Sequence, residues 1–197
     1  MAPLAYTDVG AKIAFYVVLG VLGASEWSIR IRSGLNRGGT RKDRGSFYVV
    51  IVTAVIGFAA AFGFASGVQG ASIVAARWPV FIIGLALTVL GIALRQWAVL
   101  MLGQFFTVQV QVHSDQTVVD TGPYRWVRHP SYTAIIMSFV GIGVALGNWL
   151  SLAALIVVPT IGLVVRIRVE EKALLDALGE PYRQFSLGRA RLIPKLW

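Results

Sequence analysis

Cysteine is absent from the 197 residues. Its absence excludes a disulfide, a thiolate nucleophile and any cysteine-ligated metal, and it leaves the redox compartment unreadable. Histidine is scarce: His113 and His129 stand far apart, with neither an HExxH pattern nor a carboxylate cluster beside them. No metal centre is expected from such a set. Charge is sparse too, at 14% of residues against 56% hydrophobic, and acids number 9 against 18 Lys and Arg. That balance excludes an ordinary soluble domain and describes a polytopic, all-α integral membrane protein. The net charge of +9 would suggest nucleic acid in a soluble chain. Here the cations gather in particular loops, where they suit anionic lipid headgroups, so membrane lipids and no nucleic acid are the expected partners. The first apolar run follows a short segment containing Asp8 and shows no convincing cleavage site, so no signal peptide is expected.

Five apolar segments are long enough, or only just long enough, to cross a bilayer core of about 30 Å. They run from Ala11 to about Ile29, Phe47 to Ser66, Pro79 to about Leu102, Thr133 to Gly147 and Trp149 to Val165. Glu26, four residues before Arg30, is expected to pair with it along the first helix. The stretch from Arg30 to Ser46 is rich in Lys and Arg, holds the single acid Asp43, and is broken by Gly34, Gly38 and Gly39. Such a loop belongs on the cytoplasmic side. Arg95 lies inside the third span. An arginine costs about 3 kcal/mol at a bilayer centre, so it either snorkels to headgroups or faces protein or a ligand.

The segment from Gly103 to Asp120 is neither a span nor a simple linker. Phe105 to Val112 alternates polar and apolar residues and places Gln109 and Gln111 on one side of a two-residue period. Gly147 and Asn148 mark a tight turn between the last two spans, and Pro159 is expected to kink the second of them. Beyond Val165 an amphipathic helix with Arg166, Arg168, Glu170, Glu171 and Lys172 emerges and stops at Gly179. A basic tail with Arg183, Arg189, Arg191 and Lys195 ends in an interfacial anchor, Leu196 and Trp197. Residues 1–102 thus read as a three-helix scaffold, and 103–197 as a functional core containing a helical hairpin over 131–166. Five spans put Ser114 and Gly188 on the cytoplasmic side and Gly70 and Asn148 near the opposite face.

Polar function concentrates in GPYRWVRHPSY, Gly122 to Tyr132. A membrane-surface connector with positive-inside arginines and belt aromatics would account for its charge and its rings. It would not account for His129-Pro130, because proline bars helical backbone at His129 where the next helix must begin. Arg166 and Glu170 share one helical face, and the short hairpin between 131 and 166 brings them back to the same side of the membrane as the motif. An arginine for an anion and a carboxylate for hydroxyls or a cation, with aromatics beside them, make a small-molecule site.

The order GPYRxxRHPxY, an apolar hairpin containing Asn148, RxRxEE, a glycine-stopped helix, Tyr182 and the closing Arg191-Leu192-Ile193-Pro194 resembles the isoprenylcysteine carboxyl methyltransferase family. The resemblance runs from about Arg95 to Pro194. It implies an integral membrane enzyme that takes S-adenosylmethionine from the cytoplasm and methylates a carboxylate on a lipophilic or lipidated acceptor admitted from the bilayer. Carried over by position, the cofactor contacts would be Gln109, Gln116, Thr117, Val118, Val119, Tyr124, His129, Pro130, Ser131, Tyr132 and Glu170. Arg166 would be the catalytic residue that contacts the substrate, and Arg95 is a second candidate for the acceptor. Gln116 stands where relatives often have histidine, so a backbone contact survives there and an imidazole contact does not. Three other readings stay open at this point: phospholipid amine methylation, an NADPH-dependent membrane reductase of the sterol reductase type, and a non-enzymatic lipid-binding scaffold.

Overall fold

The computed structural model describes residues 2–35, 40–43, 45–73, 76–112, 116–194 and 197. Gly38, Gly39, His113, Ser114, Lys195 and Leu196 lie outside the described residues. Among the described residues seven α-helices follow in order: α1 Leu4–Thr7, α2 Val9–Leu35, α3 Ser46–Gly67, α4 Arg77–Leu102, α5 Pro130–Ala145, α6 Trp149–Leu178 and α7 Glu180–Ser186. The fold is all-α apart from a two-residue antiparallel pairing of β1, Thr40–Arg41, with β2, Gln111–Val112.

Among the described residues four helices, α2, α3, α4 and α6, are long and apolar enough to cross a membrane. The fifth apolar helix, α5, has 16 residues, which at about 1.5 Å each gives about 24 Å. It is short because both ends are fixed locally, by Pro130 at the start and by the Gly147-Asn148 turn at the finish. The amphipathic segment expected after Val165 is no separate helix. It is the last part of α6, which is one helix of 30 residues with Pro159 inside it. The neighbouring helix makes room for that proline: a Cβ on Gly57 of α3 would lie 3.1 Å from the ring carbons of Pro159.

Close backbone approach sets the packing. A Cβ on Gly84 would come within 2.4 Å of the Ala145 nitrogen, and one on Gly91 within 2.3 Å of Ser138 Oγ, so α4 and α5 lie backbone to backbone. Small residues permit this contact where lipid offers no hydrophobic drive between helices. Outward residues such as Val55, Ile82 and Ile161 are more than half exposed, as a lipid-facing surface requires.

The two ends of the bundle differ. At one end Asn148 caps α6 by accepting from the amides of Leu150 and Ser151 at 3.0 and 3.1 Å, and its amide donates to the Val68 carbonyl at 2.9 Å. Ile73 N–H donates to the Gly147 carbonyl at 2.7 Å and Arg77 to that of Ala2 at 2.8 Å. The chain start, the loop around Gly70 and the Asn148 turn therefore share this end, over a core of Phe15, Phe81, Leu146 and Leu155. Residues 40–43, 103–112, 116–132 and 187–194 gather at the other end.

Candidate active site

At that second end a 3₁₀ turn, Gly122–Arg125, carries Tyr124 inward. Gly122 takes φ +57, and a Cβ there would strike Met101 at 2.7 Å. His129 caps α5 with φ −125 and ψ 60, the non-helical backbone that Pro130 demands. The C-terminal tail laces onto this corner. The amides of Arg128 and His129 donate to the Ala190 and Arg191 carbonyls at 2.9 Å each, and Thr133 Oγ1 donates to the Leu192 carbonyl at 2.7 Å. Glu171 fastens the side chains: Arg128 Nη1 lies 2.7 Å away, Arg191 Nε 2.9 Å and His129 Nε2 3.2 Å. Glu171 is thus the anchor of the motif.

A cavity of about 520 Å3 opens behind the corner. Arg95, Gln116, Thr117, Val118, Val119, Tyr124, His129, Ser131, Tyr132, Arg166 and Glu170 all line it; Gln109 and Pro130 do not. Gln111 takes the wall position instead. The two-residue period holds only where Gln111–Val112 pairs with β1, while residues 108–109 bend, so Gln109 and Gln111 are not equivalent. Pro130 acts through shape, buried in the first turn of α5.

Arg166 and Glu170 share a helix face, yet they meet through a third group. Arg166 Nε donates to Tyr132 Oη at 2.8 Å, and Tyr132 Oη donates to Glu170 Oε2 at 2.5 Å. The rest of the guanidinium reaches across the fold, Nη1 to Asp43 Oδ2 and Ser46 Oγ at 3.3 Å each and Nη2 to the Val108 carbonyl at 2.6 Å. Arg166 is a hub joining α3, α5, α6 and the 103–112 segment rather than an open hand for an anion. Asp43 also accepts from Ser46 Oγ at 2.7 Å and from the Phe47 amide at 3.3 Å, capping α3. Burial of the Asp43 carboxyl would raise its pKa, but the Ser46 hydrogen bond and the Arg166 charge outweigh that and hold it below the ordinary carboxylate range.

Glu26 does not pair with Arg30. It crosses to Arg95 in a two-point ion pair whose Nη2–Oε2 contact is 2.8 Å, while Arg95 Nη1 donates to Ser131 Oγ at 2.6 Å. Arg30 instead lies over the Phe47 ring at 5.7 Å. Arg95 therefore does not snorkel; it is 9% exposed and faces the cavity.

Beside the polar groups is an aromatic box in which Tyr124, Tyr182 and Phe185 pack with Ala98, Val118 and Val119. Tyr124 Oη donates to the Ala98 carbonyl at 3.3 Å, and burial, with the Glu170 charge, pushes its phenol well above the usual value. On the opposite wall Leu22, Trp27, Val50, Ile51 and Phe58 come from α2 and α3. Trp27 and Ile51 line the cavity and are also 63% and 43% exposed, so this apolar wall reaches the lipid-facing surface.

Sequence reasoning missed Asp43, Ser46, Trp27, Phe185 and the cavity role of Glu26. Two signals were present: a lone acid inside an apolar span, and a lone acid three residues before a serine at a helix start.

Comparison with known proteins places this architecture. Residues 83–176 match the isoprenylcysteine carboxyl methyltransferase (ICMT) family. A Tribolium castaneum protein-S-isoprenylcysteine O-methyltransferase is 36% identical over 102 residues, covering 51% of this chain and 36% of the relative. An uncharacterised Bacillus subtilis protein, YpbQ, is 30% identical over 95 residues, covering 48% of this chain and 56% of the relative. The solved structure of a eukaryotic intramembrane Ras methyltransferase, ICMT, superposes with a TM-score of 0.61 at 30% identity, over 74% of this chain and 52% of the other. The chain thus spans from about a third to a little over half the length of these relatives. The matched region holds the hairpin, the HPSY corner and the Arg166–Tyr132–Glu170 relay, and over that stretch the chain is similar to the isoprenylcysteine carboxyl methyltransferase family.

Proposed function

We propose that the chain transfers a methyl group from S-adenosylmethionine to the carboxylate of a lipophilic acceptor of the isoprenylcysteine kind. The observation that carries this reading is one cavity that joins the Arg166–Tyr132–Glu170 relay to an apolar wall reaching the lipid-facing surface. Its volume of about 520 Å3 is within the usual range for small-molecule sites, roughly 300–1,000 Å3.

The residues fit the cofactor. Glu170 offers a carboxylate to hydroxyls or an ammonium group, and Tyr124, Tyr182 and Phe185 offer flat apolar faces to a purine. Tyr182 Oη and Arg128 Nε, on residues that line the cavity, are buried without a hydrogen-bond partner among the described residues, so a polar ligand has groups to satisfy nearby. When bound, the cofactor supplies an electrophilic methyl group on a sulfonium. The protein's task is then alignment and exclusion of water, since a carboxylate needs no further activation beyond partial desolvation. Gln116 to Val119, Tyr124, His129 to Tyr132 and Glu170 hold the cofactor side. Arg95 meets the acceptor, and Arg166 fixes Tyr132 and Glu170; any direct contact of Arg166 with the acceptor would use its one remaining N–H. In this reading residues 1–102 supply the wall on the lipid side and 103–197 the cofactor side.

Titrating the purified chain with S-adenosylmethionine and separately with NADPH tests the reading. Micromolar binding of the first, about −8 kcal/mol, is expected, with none of the second; NADPH binding alone would establish the reductase reading instead.

The site faces the cytoplasm in this proposal, because Arg30, Arg32, Lys42, Arg125, Arg168 and Arg189 cluster at its end of the bundle. Gly70→Cys and Arg183→Cys, in a chain free of native cysteine, are expected to react with an impermeant thiol reagent from opposite sides of the membrane. Labelling of position 183 from outside intact cells would invert the orientation.

A further inference from the structure

Arg95 and Glu26 face each other through Nε and Nη2 on one side and Oε1 and Oε2 on the other. Parallel donation of this kind is how an arginine recognises any planar carboxylate, whether it belongs to the chain or to a ligand. Both residues line the cavity, and they are unequally held. The Arg95 side chain is 11% exposed and fastened to Ser131, whereas the Glu26 side chain is 41% exposed. Glu26 also rides on α2, whose apolar window is only 11% buried in the fold. Of the two partners, Glu26 is the one free to leave. Other arginines on the wall are less available to a ligand acid: Arg166 already donates to Tyr132, Asp43, Ser46 and Val108, Arg128 is paired with Glu171, and Arg30 lies over the Phe47 ring.

We propose that Glu26 occupies the place of the acceptor's carboxylate on Arg95 while no acceptor is bound, and yields it when an acid arrives. This inference rests on the carboxyl methyl-transfer reading and names the acceptor's anchoring point within it. Exchange of one carboxylate for another keeps Arg95 paired throughout, which matters in a membrane cavity where an unpaired guanidinium is costly. A methyl ester carries no charge and cannot accept both N–H groups as a carboxylate does, so Glu26 reclaims Arg95 after transfer and the product keeps only its contacts elsewhere in the cavity. The same residue sets a charge rule: an amine acceptor would be opposed by Arg95 and drawn to Glu26.

The test is equilibrium binding, without methyl donor, of a prenyl thioether carboxylic acid, its methyl ester and the corresponding amine to the full chain in detergent micelles. Glu26→Gln is expected to bind the acid about tenfold more tightly than wild type and the ester equally well. Unchanged or weaker acid binding would overturn the proposal and leave the pair a structural ion pair. Tighter amine binding by wild type than by Glu26→Gln, without the gain for acid, would overturn it in favour of a cation site. Should Glu26→Gln fail to fold, Glu26→Asp, which keeps the charge and shortens the reach, is expected to tighten acid binding about threefold, and equality with wild type would count against the idea. Because no methyl donor is present, a failure of methyl transfer would sink the proposed activity and leave this binding result standing on its own.

Discussion

Arg166→Met is expected to lower stability by about 3–5 kcal/mol and the proposed methyl transfer by about 10² or more, because it leaves the enclosed Asp43 carboxylate without its cationic partner. It also removes the donor that orients Tyr132, and with it the Tyr132–Glu170 bond loses its fixed geometry. The two effects separate in a double variant. Asp43→Asn added to Arg166→Met neutralises the orphaned acid and is expected to recover at least half of the lost stability, read as the thermal unfolding midpoint in detergent. Turnover should stay down by about 10² or more, since the relay is still missing. Recovery of turnover in the double variant would reduce Arg166 to a counter-ion for Asp43. Full stability and full cofactor affinity in the single variant, with turnover alone lost, would return Arg166 to the direct acceptor contact that the sequence suggested.

Glu170→Gln separates binding from folding more cleanly. The amide oxygen of glutamine still accepts from Tyr132 Oη, so the corner keeps its shape and the unfolding midpoint is expected to hold. What disappears is a negative charge facing the cavity. Loss of a charge-assisted hydrogen bond, worth about 1.5–3 kcal/mol, predicts S-adenosylmethionine binding weaker by about 10- to 100-fold in calorimetry. Unchanged affinity would remove this carboxylate from the cofactor site and with it the relay as the functional centre.

Local rules wrote much of the molecule into its sequence. Long apolar runs made four membrane-length helices among the described residues, Pro130 set the backbone of His129 and the start of α5, Gly147-Asn148 turned and capped the hairpin, and Gly179 ended α6. Each of these depends on residues within one or two turns of one another, where φ restriction, capping and hydropathy act with little reference to the rest of the fold. The order of the motif residues likewise carried the family resemblance and most of the cavity wall. Partners across helices were decided otherwise. Glu26 stands four residues from Arg30 and pairs with Arg95, and Arg166 stands four residues from Glu170 and reaches it through Tyr132. The side of the 103–112 segment that faces the cavity, Gln111 rather than Gln109, followed from its pairing with β1. Such choices depend on the rotation and depth of each helix against its neighbours. Those are fixed by close contacts such as Gly84 on Ala145 and Gly91 on Ser138, and a side chain's nearest neighbours in sequence do not encode them.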